Sequence, residues 1–475
     1  MPAPQAVRPA STAPQASAPA SAAGGARLGE VEAEITARWG EGRMDPTRER
    51  IAALLDLLGQ PQQAYRGIHL TGTNGKTTTA RMIDELLRAF GLRTGRYTSP
   101  HLSSVTERIV IDGEPLTDEV FVATYDEIAP YVELVDQRFE IKLSFFEVVT
   151  AMAYAAFADA PVDVAVVEVG LGGTWDATNQ LDAEIAVITP IGIDHVEFLG
   201  DSVAQIATEK AGIIKAGATA VLAAQDTEAA GPLLRRAGEV EATVAREGLE
   251  FGVLRRNEAL GGQLLVLQGL GGVYPEVFLP LFGAHQAQNA AVALAAVEVF
   301  FGMGEGTGTL DLDTVRAAFA AVRSPGRLER VRSAPTILVD ATHNPHGMVA
   351  TVAALAESFS FRRLIAVFAA LDGKDVAGML RVLEPAVDEI VVTENSSARA
   401  MSADDLGDIA VDVFGPDRVT VEPRLDSALE TAVNLSEENA DDVLSGAGVI
   451  VTGSVVTAGE ARTLLTGRRE IGAPS

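Results

Sequence analysis

Apolar positions along this chain switch between two spacings. Ile51, Leu54, Leu55 and Leu58 recur at helical spacing ahead of Gly59, and Gly67-Ile68-His69-Leu70 then reads as a short strand. A glycine-containing turn follows, and an amphipathic pattern predicts a helix over residues 77–90. Mostly apolar runs come next at 162–169, 185–188 and 218–223, separated by helical or loop sequence. Strands with no in-and-out alternation belong to a parallel sheet covered on both faces. Over 261–281 short glycine-rich, β-branched pieces predict a small antiparallel extension, followed by an alanine-rich helix over 286–301. A second series of strands and helices begins near Pro335, with strands at 336–339, 364–368, 389–392 and 448–451. The pattern predicts an Ala/Pro/Ser-rich disordered tail over 1–27, a first domain over 28–326 and a second over 327–475, joined near 324–332. No short internal repeat is present.

Composition narrows the partners. At 475 residues and 47% hydrophobic, the chain is long enough for two cores. Its 65 acidic residues against 37 basic ones give a net charge of −28, a field that repels nucleic acid. A small anionic substrate remains compatible, because Arg and Lys grouped in a cleft outweigh a distant screened charge. The absence of cysteine rules out disulfides, thiolate metal sites and thiol catalysis, and fits a cytoplasmic protein. No apolar run is long enough for a membrane span, and no signal peptide is read, so no membrane partner is expected.

Chemistry concentrates in a few segments. Thr71-Gly72-Thr73-Asn74-Gly75-Lys76-Thr77-Thr78 lies between a strand and a helix, where backbone N–H groups and a helix N-terminus cradle phosphates. Lys76 would reach the β- and γ-phosphates and Thr77 would assist Mg2+. The common phosphate loop has glycine where Leu70 stands, so this is a variant loop. Glu168 closes the apolar run before Gly170-Leu171-Gly172-Gly173, which puts a carboxylate, a good Mg2+ ligand, at the sheet edge beside the phosphates. Asp194-His195 follows another buried strand and reaches the same edge. By composition alone, Glu209 and Lys210 read as an exposed charged pair.

Together with Ser99-Pro100-His101-Leu102 and Asp340-Ala341-Thr342-His343-Asn344-Pro345-His346, these segments resemble the folylpolyglutamate synthase/dihydrofolate synthase family of the Mur ligase superfamily. The resemblance runs from about residue 28 to the end. It implies an α/β fold: an N-terminal P-loop-type domain with a mostly parallel sheet, plus a smaller C-terminal Rossmann-like domain. The implied activity is ATP-dependent ligation of L-glutamate to dihydropteroate or folate through an acyl phosphate. ATP and two Mg2+ ions are the implied cofactors, with K+ as a further candidate. Ser99, Glu168, His195 and a carbamylated Lys210 match the metal ligands. Gly72, Thr73, Asn74, Gly75, Lys76, Thr77, Asn289, Arg327 and Asp340 match the ATP contacts. Lys76, Lys210, Asp340 and His343 are the catalytic candidates; the residue that takes the amine proton stays open between His343 and Asp340. Asp45, Pro46, Thr47, Arg48, Ser144, Phe145 and Trp175 match the pterin site, and Ser454 is a candidate for positioning substrate or phosphate. A Phe145-Phe146 pair suits stacking on a flat heterocycle. Thr174 stands where many relatives have arginine. Two other readings are kept: a Mur-type ligase for another carboxylate, and a nucleotide-dependent switch. A monomer is expected.

Overall fold

The computed structural model describes residues 22–39, 45–304, 306–437 and 446–467. Its strands in chain order are β1 Arg66–Thr71, β2 Thr94–Tyr97, β3 Ile109–Ile111, β4 Glu114–Pro115, β5 Val164–Glu168, β6 Ile185–Ile188, β7 Thr219–Leu222 and β8 Thr243–Arg246. These form one eight-stranded sheet in the order β4-β3-β2-β5-β1-β6-β7-β8. The pairings from β2 through β8 in that order are parallel, and the β2–β3 and β3–β4 pairings at one edge are antiparallel, so β3 alone runs against the others.

The continuous apolar runs follow from burial on both faces. Val164 and Val166 pack with Ile68, Leu70 and Val187 under the helices Lys76–Ala89 and Ala284–Phe300, whereas Ala165 and Val167 face the helix Phe145–Asp159. Ala186, Ile188, Ala220 and Leu222 face the helices Val203–Lys210 and Thr227–Glu239. Successive residues of one strand point to opposite faces, so each strand has to be apolar throughout.

Strands β9 Gly252–Ala259, β10 Gly262–Gln268 and β11 Val273–Leu279 form the antiparallel extension, which begins before the expected residue 261. The second sheet contains β12 Glu329–Ser333, β13 Thr336–Val339, β14 Arg363–Phe368, β15 Glu389–Val392, β16 Val419–Val421 and β17 Ala447–Thr452, in the order β12-β13-β17-β14-β15-β16. All its pairings are parallel except β12 with β13.

The expected tail over 1–27 lies outside the described residues as far as 21. A helix over Ala22–Thr36 starts inside it, anchored by Leu28, Val31 and Ile35 in the core and by Arg27 pairing with Asp126. Composition concealed this helix because its apolar contacts begin only at Leu28. No helix among the described residues is long and apolar enough to cross a membrane.

Candidate active site

Strand β1 has β5 on one side and β6 on the other, and the chain leaves β1 for one side of the sheet and β6 for the other. Such a reversal opens a crevice at the carboxyl ends of the strands. The phosphate loop fills that position, with the helix Lys76–Ala89 starting at its end. Gly72 has φ 149°, and a Cβ there would lie 1.9 Å from Thr189 Oγ1; Gly75 has φ 89°, and its Cβ would lie 2.6 Å from Asn289 Oδ1. Only glycine fits either position. Asn289, 4% exposed on the helix Ala284–Phe300, therefore borders the loop directly.

Two lysines converge on a single loop oxygen. Gly72 O accepts from Lys76 Nζ at 3.1 Å and from Lys210 Nζ at 2.8 Å, and Lys76 also donates to Thr73 O at 3.3 Å. Lys210 is the last residue of the helix Val203–Lys210 and is 3% exposed, so the surface charge pair expected from composition is not what forms. Burial, reinforced by the Lys76 charge, pushes the Lys210 ammonium down to about 7. Burial also lowers Lys76.

A corner of oxygen groups adjoins the lysines. Thr77 Oγ1 donates to Glu168 at 2.9 Å, and Ser99 N donates to Glu168 Oε2 at 3.4 Å. Glu168 is 1% exposed and burial raises its carboxyl, opposed by the Lys76 charge. A hydroxyl and a carboxylate at one point, with Ser99 adjoining through its backbone, are the hard donors Mg2+ prefers, so these residues fit the ion.

The second sheet closes over this edge. Asp194 Oδ1 accepts from Lys374 Nζ at 2.8 Å and Asp194 Oδ2 accepts from Asn344 Nδ2 at 3.1 Å, while His343 Nε2 lies 3.8 Å from Asp194 Oδ2. Asn74 Nδ2 donates to Asn344 Oδ1 at 3.2 Å and lies 2.8 Å from His346 Nδ1. Burial by itself would raise the Asp194 carboxyl, but its interactions with His195, Lys374 and His343 outweigh it and hold it far below the usual carboxylate range. Lys374 follows β14 in Leu371-Asp372-Gly373-Lys374-Asp375, and nothing in that segment signals a partner 180 residues away. The Lys374–Asp194 pair is 13% and 11% exposed. Breaking a pair so enclosed leaves a charge without its partner. Asp194→Asn is expected to lower kcat/KM by about 10- to 100-fold and to enlarge the radius of gyration by small-angle scattering as the domains part. Unchanged scattering together with unchanged kinetics would remove the pair from domain closure.

The remaining sequence candidates fall around this cleft. Asp340 accepts from Thr342 N at 3.0 Å, Thr351 Oγ1 at 3.1 Å and Leu328 N at 2.8 Å, so in this state its carboxylate organises the backbone beside Arg327. His195 caps the short helix Val196–Leu199 with φ 51°, and its Nε2 lies 3.4 Å from Lys374 Nζ. Ser454 caps the helix Val455–Thr466 and accepts from Val456 N.

On the opposite wall, Arg50 pairs with Asp45 and with Glu147, and Glu147 accepts from Ser144 N and Oγ at 2.8 Å. The segment 45–48 is thereby tied to the start of the helix Phe145–Asp159. Arg48 donates to Asn179 O at 3.1 Å, Thr47 Oγ1 accepts from Glu49 N, and Pro46 is exposed. Trp175 is half-buried and its N donates to Glu209 Oε1 at 3.3 Å. The stacking pair looks different from its expectation. Phe145 is 9% exposed with the Arg108 guanidinium 4.9 Å from its ring centre, and Phe146 packs on Gly170 and Tyr97. Both rings already serve the wall.

A nucleotide-phosphate loop, a buried carboxylate and a second α/β domain closing over them define a Mur-type ligase. The Mur ligase middle domain matches residues 70–297, and the Mur ligase glutamate ligase domain matches 326–455. The chain is 53% identical to the dihydrofolate synthase/folylpolyglutamate synthase of Mycobacterium tuberculosis, over 92% of this chain and 94% of that one. It is 34% identical to the enzyme of the same name from Bacillus subtilis, over 78% and 87%. Among solved structures, M. tuberculosis folylpolyglutamate synthase complexed with ADP and AMPPCP superposes with a TM-score of 0.89 at 53% identity, covering 94% of this chain and 99% of that one. The folylpolyglutamate synthase of Thermotoga maritima gives 0.79 at 31%, covering 94% and 98%. The chain belongs to the dihydrofolate synthase/folylpolyglutamate synthase family of Mur ligases, which are ATP-dependent carbon–nitrogen ligases.

Proposed function

We propose that this ligase joins L-glutamate to dihydropteroate and to reduced folates, with ATP converted to ADP and phosphate. The observation that carries the reading is the meeting of Lys76 and Lys210 on Gly72 O, beside the Thr77 hydroxyl and the Glu168 carboxylate that Ser99 N also contacts, under a second domain. A nucleotide switch has no need of that second lysine. A folate complex is among the solved neighbours, with a TM-score of 0.79 at 30% identity, which favours a pterin over another carboxylate substrate.

A carboxylate is a poor acyl donor. Its oxygen attacks the γ-phosphorus, the bond to the β-phosphate oxygen breaks, and ADP leaves an acyl phosphate. Lys76 is placed by the loop to offset the charge that builds on the transferring group. The glutamate amine then attacks the acyl carbon, and the resulting tetrahedral centre expels inorganic phosphate. His343 is the group assigned to the amine proton, because burial and then the Lys374 charge push its pKa to about 4 and leave it unprotonated near neutrality. Asp340 has its oxygens engaged by three donors and is assigned to positioning. The contacts from Asn74 and Asp194 to the second domain keep water from the acyl phosphate.

Thr77, Glu168 and Ser99 would hold one Mg2+, and His195 with carbamylated Lys210 a second. Bound there, the ions would neutralise phosphate oxygens. Carbamylation also answers the electrostatics, since it replaces one of two cations crowded on a single carbonyl by an anion. Asp45–Arg48, Ser144, Phe145 and Trp175 are assigned to the pterin wall, and the protein is taken as a cytoplasmic monomer.

The test is ADP release with Mg-ATP and L-glutamate, comparing dihydropteroate, tetrahydrofolate and no acceptor, each with and without K+. Turnover with both pterins is expected. Turnover with tetrahydrofolate alone restricts the activity to chain extension, and turnover with neither overturns the folate reading.

A further inference from the structure

The linker between the sheets is fastened at both ends. Thr78 Oγ1 and Ser324 Oγ lie 2.9 Å apart, 1% and 6% exposed. Thr78 sits in the first turn of the helix Lys76–Ala89, directly after Thr77, whose hydroxyl turns the other way to Glu168. Two successive threonines thus serve two directions: one the metal corner, the other the linker. At its far end the linker is held by Gly326 N donating to Glu329 Oε2 and Leu328 N donating to Asp340 Oδ2, both at 2.8 Å. Ala341 N donates to Gly326 O at 2.8 Å, and Glu329 pairs with Arg462 at 3.0 Å.

Arg327 sits between these fasteners. Its N donates to Ser324 O at 3.2 Å, and its neighbours Gly326 and Leu328 have φ 66° and 46°. A leucine holds the left-handed region only where its surroundings fix it. The turn therefore fixes the backbone at Arg327, and its charge acts on both Lys76 and Glu168.

We propose that Thr78 and Ser324 are positioning residues whose hydroxyl pair sets the linker so that Arg327 meets the nucleotide held by the phosphate loop. The inference rests on the nucleotide reading of that loop and of Arg327. Because the pair joins the first turn of the phosphate-loop helix to a residue three before Arg327, the phosphate site and the arginine move as one body. A buried hydroxyl that loses its partner has no water to replace it.

The experiment compares Thr78→Val, which keeps the shape and removes the hydroxyl, with Thr78→Ser, which keeps the hydroxyl, and with Ser324→Ala. ATP binding is measured by calorimetry, alongside KM for all three substrates and the melting temperature. Thr78→Val and Ser324→Ala should each raise the ATP Kd and KM roughly five- to tenfold, with Thr78→Ser near wild type and the other two KM values unmoved. The double variant should be no worse than either single one, because both remove the same bond. In an Arg327→Ala background neither should add anything. A shared rise in all three KM values with a lower melting temperature would mean a structural bond only and would overturn the proposal. So would a Thr78→Val effect that persists at full size without Arg327. Wild-type binding with unaltered variants overturns this inference alone, whereas wild-type failure to bind ATP overturns the nucleotide reading as well.

Discussion

Lys76→Ala should reduce ADP release by about 10²- to 10³-fold, the range seen when one preorganised charge-stabilising donor is removed from a transfer reaction. The ammonium is held at the loop by the carbonyls of Gly72 and Thr73, 3.1 and 3.3 Å away. Burial works against its charged form. Removing it relieves that penalty, and the variant should melt at the wild-type temperature or above. Activity and melting temperature measured on the same preparation separate the two effects. A variant that loses activity only in proportion to lost folding would refute a catalytic role for Lys76.

Lys210 is the second large expectation. Lys210→Ala and Lys210→Arg should both fall by about 10²-fold or more, although arginine keeps a positive charge. A guanidinium cannot form a carbamate, so equal damage from the two variants would point to the modified lysine and not to a cation. The pH dependence has a defined sign. With its ammonium pushed down to about 7, Lys210 is increasingly the free amine above that pH and increasingly protonated below it. Only the free amine reacts with CO2. Activity in CO2-depleted buffer should therefore decline most steeply below about pH 7 and recover with added bicarbonate, and intact mass should show the CO2 adduct. Full activity of Lys210→Arg would refute the carbamate.

Some of this site was legible in the sequence. Glu168 stood out because a strand buried on both faces must stay apolar until it leaves the core, so the first carboxylate marks the sheet edge. The phosphate loop was legible for a similar reason: Gly72 and Gly75 are required by close approach of Thr189 and Asn289. The short strands β2, β3, β4 and β8 were not legible. They are two to four residues long, and β2 reads Thr-Gly-Arg-Tyr, with a buried Arg96 that pairs with Asp84 at 2.6 Å. Lys210 was misread as a surface charge because its polar neighbours, the exposed Thr208 and the half-buried Glu209, give its helix segment the composition of a solvated face.

What the sequence determined by itself was the alternation of strands and helices, the glycine loop between β1 and the helix that follows it, and the family to which its motifs belong. These are local properties, written in periodicity and short spacings. The tertiary structure alone decided that Lys374 meets Asp194 across 180 residues, that Arg50 meets Glu147 across 97 and that Thr78 meets Ser324 across 246. Each of those pairs depends on where two separately folded segments come to rest, and a linear pattern of polar residues carries no record of which distant partner will exclude water from it.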